Sequence, residues 1–124
     1  MPTNYERNRL IVCDFLLYGF DRLAPFLNAA TGIEYTPEDL ITAEARMQTL
    51  SRLYNLRKGR SHDDDKLPER FFQEKSIAGL IKGKKIPREL YKKQVEEIYR
   101  LRGWNKWGEP TEETLNKLGV KLLQ

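Results

Sequence analysis

The stretch TPEDLITAEARMQTLSRLYNLRKGRSHDDDKLPER, Thr36–Arg70, decides the fold. It reads as one long amphipathic helix followed by an ordered turn. Thr36 is a good N-cap, and Pro37 suits the first helical position, where no amide hydrogen is needed. Glu38 and Asp39 fall in the first turn, where the helix dipole favours negative charge. Leu40, Ala43, Met47, Leu50 and Tyr54 recur at helical spacing with Leu53 beside them, and they predict the buried stripe. Arg57 and Lys58 lie in the last turn, and Gly59 supplies a left-handed stop. Beyond it, Asp63, Asp64 and Asp65 are each suited to capping backbone amides, and Pro68 forces Leu67 out of the helical region.

Working outward, the other segments also read as helical. Tyr5–Phe20 holds the densest apolar run, Leu10 to Tyr18, apolar on nearly all sides. Its Leu content and polar lead-in favour a buried helix, closed by Gly19. A short helix is expected over roughly Asp21–Ala30, capped by Asp21 or starting at Pro25, with Thr31-Gly32 closing it. Pro68 opens a short helix through Phe71 and Phe72. The Gly-punctuated basic stretch SIAGLIKGKK, Ser76–Lys85, reads as a loop or weak hairpin. Pro87 starts a further helix with the apolar stripe Leu90, Tyr91, Val95, Ile98 and Leu101, stopped by Gly103. Trp104–Pro110 is an aromatic turn expected to cover the edge of the core. Thr111 caps a last short helix that turns Leu115 and Leu118 inward and ends at Gly119. The expectation is an all-α single domain over residues 1–124, an irregular bundle of about five helices.

Composition narrows the function classes. The chain has 124 residues, 40% hydrophobic and 32% charged, the balance of a globular domain with a modest core. Its net charge of +4 comes from interleaved charges and does not argue for nucleic acid. A single cysteine excludes an intrachain disulfide and fits a reducing, cytoplasmic setting. No apolar run reaches membrane-span length, and the N-terminus shows no export signal, so no membrane partner is expected.

Familiar catalytic constellations are missing. There is no phosphate loop of Walker spacing, and one histidine makes no histidine pair. His62 beside Asp63–Asp65 could be read as a metal or acid–base cluster, but a solvated loop with capping aspartates is the plainer reading. Lys82, Lys84, Lys85, Arg88, Lys92 and Lys93 form the one basic concentration, either a phosphate-contacting patch or a solvated face. Cys13, taken alone, is a small apolar residue in a greasy helix.

Three blocks together say more. They are TGIEYTPEDLITAEARMQTLSRLYNLRKG (Thr31–Gly59), DDKLPER (Asp64–Arg70) and YRLRGWNKWGEPTEETLNKLGV (Tyr99–Val120). In this order and spacing the chain resembles the C-terminal part of the tungsten/molybdenum-pterin aldehyde:ferredoxin oxidoreductases. The resemblance implies two-electron oxidation of an aldehyde to a carboxylic acid. It places Cys13 on the family's last cluster cysteine, a metal ligand completing a 4Fe-4S cluster near the pterin. The other three ligands come from a Cys-x-x-Cys-x-x-x-Cys run that this chain does not contain. A cubane cluster needs four ligands, so the isolated chain is expected to hold no cofactor and to be inactive.

The family's Asp-x-x-Gly-Leu-Cys motif stands here as Asn8-Arg9-Leu10-Ile11-Val12-Cys13. By the resemblance, Asn8 and Val12 are the cofactor-binding positions beside the tungsten or molybdenum bis-pterin. The implied partners are the N-terminal cofactor-binding domains of the same enzyme, and ferredoxin for the intact enzyme. The chain is then a C-terminal fragment or split product, and its greasy first helix is expected to drive self-association when uncovered. The alternative is a non-catalytic helical binding module using the basic segment 82–93.

Overall fold

The computed structural model describes residues 19–121. Within them the chain forms five α-helices: α1 (Phe20–Thr31), α2 (Pro37–Arg57), α3 (Arg70–Gln73), α4 (Arg88–Leu101) and α5 (Glu112–Leu118). A single 3-10 turn, His62–Asp64, lies between α2 and α3. The expected all-α architecture is what forms. Among the described residues the only extended pairing is an isolated bridge between Trp104 and Pro110. No helix among them is long and apolar enough to cross a membrane. The greasy segment Leu10–Tyr18 lies outside the described residues.

The chain divides into two compact units, Met1–Ser51 with Leu115–Gln124, and Arg52–Thr114. In the first unit Phe20, Leu23 and Ala24 of α1 bury against Leu40 of α2, with Leu27 and Tyr35 packed on them. Removing these side chains from water is the main force holding α1 to α2. Asn28 fixes the connection between them. Its Oδ1 accepts from the Tyr35 amide at 2.7 Å, and its Nδ2 donates to the Tyr35 carbonyl at 3.1 Å. α1 starts one residue earlier than its sequence suggests. Gly19 occupies the N-cap position without a side-chain cap, Asp21 sits in the first turn, and Pro25 lies inside the helix. So Asp21 acts on the helix dipole and not as the cap, and Pro25 costs one helical hydrogen bond without starting the helix.

α2 begins and ends as its residues dictate. Thr36 Oγ1 accepts from the Asp39 amide at 3.1 Å, while Asp39 Oδ2 accepts from the Thr36 amide at 2.8 Å, a reciprocal capping box. These hydrogen bonds from Thr36 hold the Asp39 carboxyl below its ordinary pKa. At the other end the Arg60 amide donates to Asn55 at 3.0 Å and the Gly59 amide to Leu56 at 3.0 Å, the paired bonds of a Schellman motif. Gly59 takes the left-handed conformation there, with φ 84°.

The buried face of α2 is only partly the one its apolar residues predict: Leu40 is buried as expected, and Ala43, Met47 and Leu53 are half-buried. Leu50 and Tyr54 are 47% and 62% exposed, whereas Glu44, Gln48, Thr49 and Arg52 are buried. Leu40, Glu44, Gln48 and Arg52 follow one another at four-residue steps, so they share one face of the helix. A polar side chain is buried at a cost unless its hydrogen bonds are met; Arg52 has such bonds to Asp65 and Gly108, whereas Gln48 Nε2 is buried with no hydrogen-bond partner. α4 departs in the same way: Tyr99 is buried, while Leu90, Ile98 and Leu101 are exposed. In the first unit, Leu115 and Leu118 are buried as expected, Val120 is buried beside them in sequence, and Arg46 Nε donates to the Leu118 carbonyl at 2.8 Å. That places a cation on the carbonyl end of α5, where the dipole favours it.

Candidate functional site

The densest polar construction among the described residues lies in the second unit, around Arg52. Its Nη1 donates to Asp65 Oδ1 at 3.0 Å, and its Nε donates to the Gly108 carbonyl at 2.7 Å. Nη2 sits 2.7 Å from Asp65 Oδ2, an ion-pair contact outside good hydrogen-bond alignment. The guanidinium carbon also lies 5.7 Å from the Tyr99 ring centre and 5.5 Å from that of Trp104. The Tyr99 hydroxyl donates a short hydrogen bond to Asp65 Oδ2, and the Tyr91 hydroxyl donates to the Asp65 carbonyl at 3.0 Å. Asp65 is therefore not a solvated capping aspartate. Of the three consecutive aspartates only Asp64 caps, accepting from the Ser61 amide at 2.8 Å.

Local chemistry explains how each partner arrives. The capping box of Ser61 and Asp64 winds the 3-10 turn and leaves Asp65 just after it. Asn105 organises the aromatic turn. Its side-chain oxygen accepts from the Trp107 amide at 2.9 Å and the Glu109 amide at 3.1 Å, and its backbone amide donates to the Glu109 carbonyl at 2.8 Å. Asparagine does this because its short amide mimics a backbone turn. The turn presents the Gly108 carbonyl to Arg52. Gly108 has φ 71°, and a Cβ there would collide with Arg52 Nη2 and come within 2.7 Å of Tyr99 Cζ. Only glycine meets both demands.

Burial first, then the hydrogen bond to anionic Asp65, pushes the Tyr99 phenol up to about 12. The sign follows from the neutral form being the one that fits. This contribution to stability is fully present below the ordinary tyrosine pKa near 10 and is lost as pH rises through about 12. Ultraviolet titration should show a late tyrosine ionisation that Tyr99→Phe removes. With both Asp65 oxygens engaged and the Tyr99 proton committed, the group positions chain segments; it is not poised for proton transfer.

Beside this network lies a cavity of about 360 Å³ within the same unit, with Phe72, Tyr91, Val95 and Tyr99 among its lining. Its other lining residues include Lys66, Arg88, Lys92 and Lys106 opposed by Asp63, Asp65, Glu69 and Glu96, so the charges balance. Arg88 forms a short ion pair with Glu69, which lowers the Glu69 pKa and raises that of Arg88. Lys92 approaches Glu89 at 3.4 Å. The basic segment 82–93 is thus partly neutralised, by Glu89 inside it and Glu69 outside it. His62 packs edge-on against Trp107 with ring centres 4.9 Å apart. Trp104 is half-buried as expected of a core-edge residue, but Trp107 is 49% exposed.

The sequence-derived site residues Asn8, Val12 and Cys13 lie outside the described residues. Among the described residues no group of three or more His, Cys, Asp or Glu is placed to hold a metal ion. Sequence reasoning did not single out Arg52 or Tyr99 for a role, and it gave Asp65 that of a capping residue in a solvated loop. Their signal was present as membership of the three blocks: Arg52 comes from the first, Asp65 from the second, and Tyr99, Trp104 and Gly108 from the third.

The family model for aldehyde ferredoxin oxidoreductase, domains 2 and 3, matches residues 5–120. The chain belongs to the aldehyde ferredoxin oxidoreductase family. It is 35% identical over 112 residues to the tungsten-containing aldehyde ferredoxin oxidoreductase of Pyrococcus furiosus, covering 88% of this chain and 18% of that protein. It is 33% identical over 117 residues to the aliphatic sulfonate oxidoreductase, WOR-like subunit, of the same organism, covering 89% of this chain and 19% of that one. Among solved structures it resembles the active site complex BamBC of benzoyl coenzyme A reductase in complex with 1,5-dienoyl-CoA. There the TM-score is 0.66 at 34% identity, over 83% of this chain and 14% of that chain. The chain thus spans under one fifth of the length of each of these proteins.

Proposed function

We propose that this chain is the C-terminal helical part of an aldehyde:ferredoxin oxidoreductase-type enzyme. In that enzyme an aldehyde and water give a carboxylic acid, two protons and two electrons, and the electrons leave through a 4Fe-4S cluster to ferredoxin. The tungsten- or molybdenum-pterin group, when bound, supplies the two-electron chemistry. In this reading Cys13 contributes one thiolate ligand to the cluster, Asn8 and Val12 lie beside the pterin, and the helices wall part of the substrate cavity. A 4Fe-4S cluster requires four ligands, so the remaining ligands and the pterin site belong to a partner region, either on the same polypeptide or on a second one.

The observation that carries the reading is the family match from residue 5 to residue 120, which takes in Cys13 and all three blocks. The gathering of those blocks on Arg52, Asp65 and Tyr99 supports it, because it gives their residues a common physical purpose. A partner polypeptide is supported by two relatives, one described as a subunit and one solved as a complex. An aliphatic sulfonate substrate is the second reading, since that relative matches nearly as well as the aldehyde enzyme.

Cluster content tests the ligand assignment. The chain alone, treated with iron and sulfide, should stay colourless, while the purified whole assembly should be brown. Cys13→Ser in the assembly should lower its iron and sulfide content and bleach the visible absorbance. A stable brown chain on its own, or undiminished iron in the Cys13→Ser assembly, would overturn the assignment.

A further inference from the structure

We infer that the loop Ser76–Lys84 is a docking knuckle that inserts into an apolar pocket with an acidic rim on the partner region of the enzyme. The inference rests on the proposed function, which supplies the partner, and it adds the surface by which that partner is held.

The loop is built, not loose. The Ser76 amide donates to the Lys84 carbonyl at 3.0 Å, and the Gly83 amide donates to the Ser76 carbonyl at 2.7 Å, closing its base. Ser76 Oγ donates to the Ala78 carbonyl at 2.8 Å, and the Lys82 amide to Gly79 at 3.1 Å. Gly79 and Gly83 take positive φ, which lets so short a loop turn twice. The loop carries Ile77 at 90% and Leu80 at 104% exposure, with Ile81, next in sequence, at 46%. Isolated exposed aliphatics need no explanation, but three within five residues of a hydrogen-bonded loop do. A preordered loop also loses little conformational entropy on binding.

Charge identifies the occupant. Lys75, Lys82, Lys84 and Lys85 flank the aliphatics, and residues 75–85 contain no Asp or Glu. An apolar tip in a basic collar complements an apolar pocket in an acidic rim, with the charges steering encounter and the aliphatics slowing release. A lipid surface would also meet the lysines. However, residues 75–85 include no Trp, Tyr or Phe to anchor at an interface, and the segment is not an amphipathic helix. The structure favours a protein pocket.

Limited trypsin digestion reads this directly, because Lys82, Lys84 and Lys85 are cleavage sites. Cleavage there should be at least about tenfold slower in the whole assembly than in the chain alone. Leu80→Asp, at a fully exposed position, should weaken assembly at least about tenfold while leaving the circular dichroism of the chain unchanged, and Leu80→Met should restore it. Lys82→Glu with Lys84→Glu should slow association and remove its salt dependence. Equal cleavage in both forms would overturn the inference. So would Leu80→Asp assembling as tightly as the wild type. So would Leu80-dependent binding of the chain to phosphatidylglycerol–phosphatidylcholine vesicles with assembly unaffected. An active assembly whose loop is cut as fast as in the chain alone sinks the docking surface and spares the proposed function. A protected loop in an assembly with no aldehyde-dependent activity does the reverse.

Discussion

Asp65→Ala should be the most damaging single truncation in the second unit, lowering unfolding free energy by roughly 2–4 kcal/mol. It strips the counter-charge from a guanidinium whose side chain is 8% exposed, and it removes the acceptor of the Tyr99 hydroxyl. A fully buried pair broken in this way costs about 3–5 kcal/mol; the lower range reflects Asp65 being 32% exposed. Most of the loss is the penalty on the orphaned Arg52. The Arg52→Met, Asp65→Ala double variant should therefore recover a large part of it, because a flexible apolar side chain replaces the stranded charge. Denaturation followed by Trp104 fluorescence is a suitable measurement, since that indole lies against both Arg52 and Tyr99. If the single and double variants were equally unstable, the ion pair would not be what holds the network.

Gly108→Ala should cost nearly as much, roughly 2–4 kcal/mol, although it adds only a methyl group. Two penalties combine. An alanine at φ 71° is strained, and its Cβ would press on Arg52 Nη2 and on the Tyr99 ring. Neither atom can retreat freely, because one is held to Asp65 and the other is buried against it. Gly59→Ala provides the control. Its φ is 84°, and nothing lies within 4 Å of the added carbon, so only the backbone strain of about 1–2 kcal/mol remains. Measured by denaturant titration, the two variants should differ by at least about 1 kcal/mol. Equal values would mean that Gly108 serves the turn alone and not the approach to Arg52.

Helix boundaries were legible because they depend on local chemistry. The Thr36–Asp39 box and the Gly59 stop are set by residues a few positions apart, and α2 runs between them. The inward face of α2 was not legible. Hydropathy points to Leu50 and Tyr54, but burial falls on Glu44, Gln48, Thr49 and Arg52. The apolar pattern assumes that polar residues lack partners. Arg52 has one in Asp65, 13 residues away, and another in Gly108, 56 residues away. No local window contains either. Asp65 was hidden for the opposite reason: two neighbouring aspartates of identical chemistry made capping the simplest reading for all three. The exposed Leu90, Ile98 and Leu101 follow from the same limit, since periodicity reports that a face is apolar and not what covers it.

The three blocks that carry the family resemblance were visible as sequence, but their mutual attachment was visible only in coordinates. Arg52 reads a carboxylate from the second block and a carbonyl from the third with one planar fork. Lysine has the charge without the fork. The fork thus gives the three separated blocks one point of attachment without assigning chemistry to any of them.

That this helical chain works inside a metal-pterin oxidoreductase, as proposed above, is tested most directly by aldehyde-dependent reduction of methyl viologen in the complete assembly, prepared with and without the chain. Turnover is expected when both parts are present and none from either part alone. Full aldehyde oxidation by an assembly that lacks these helices would contradict it.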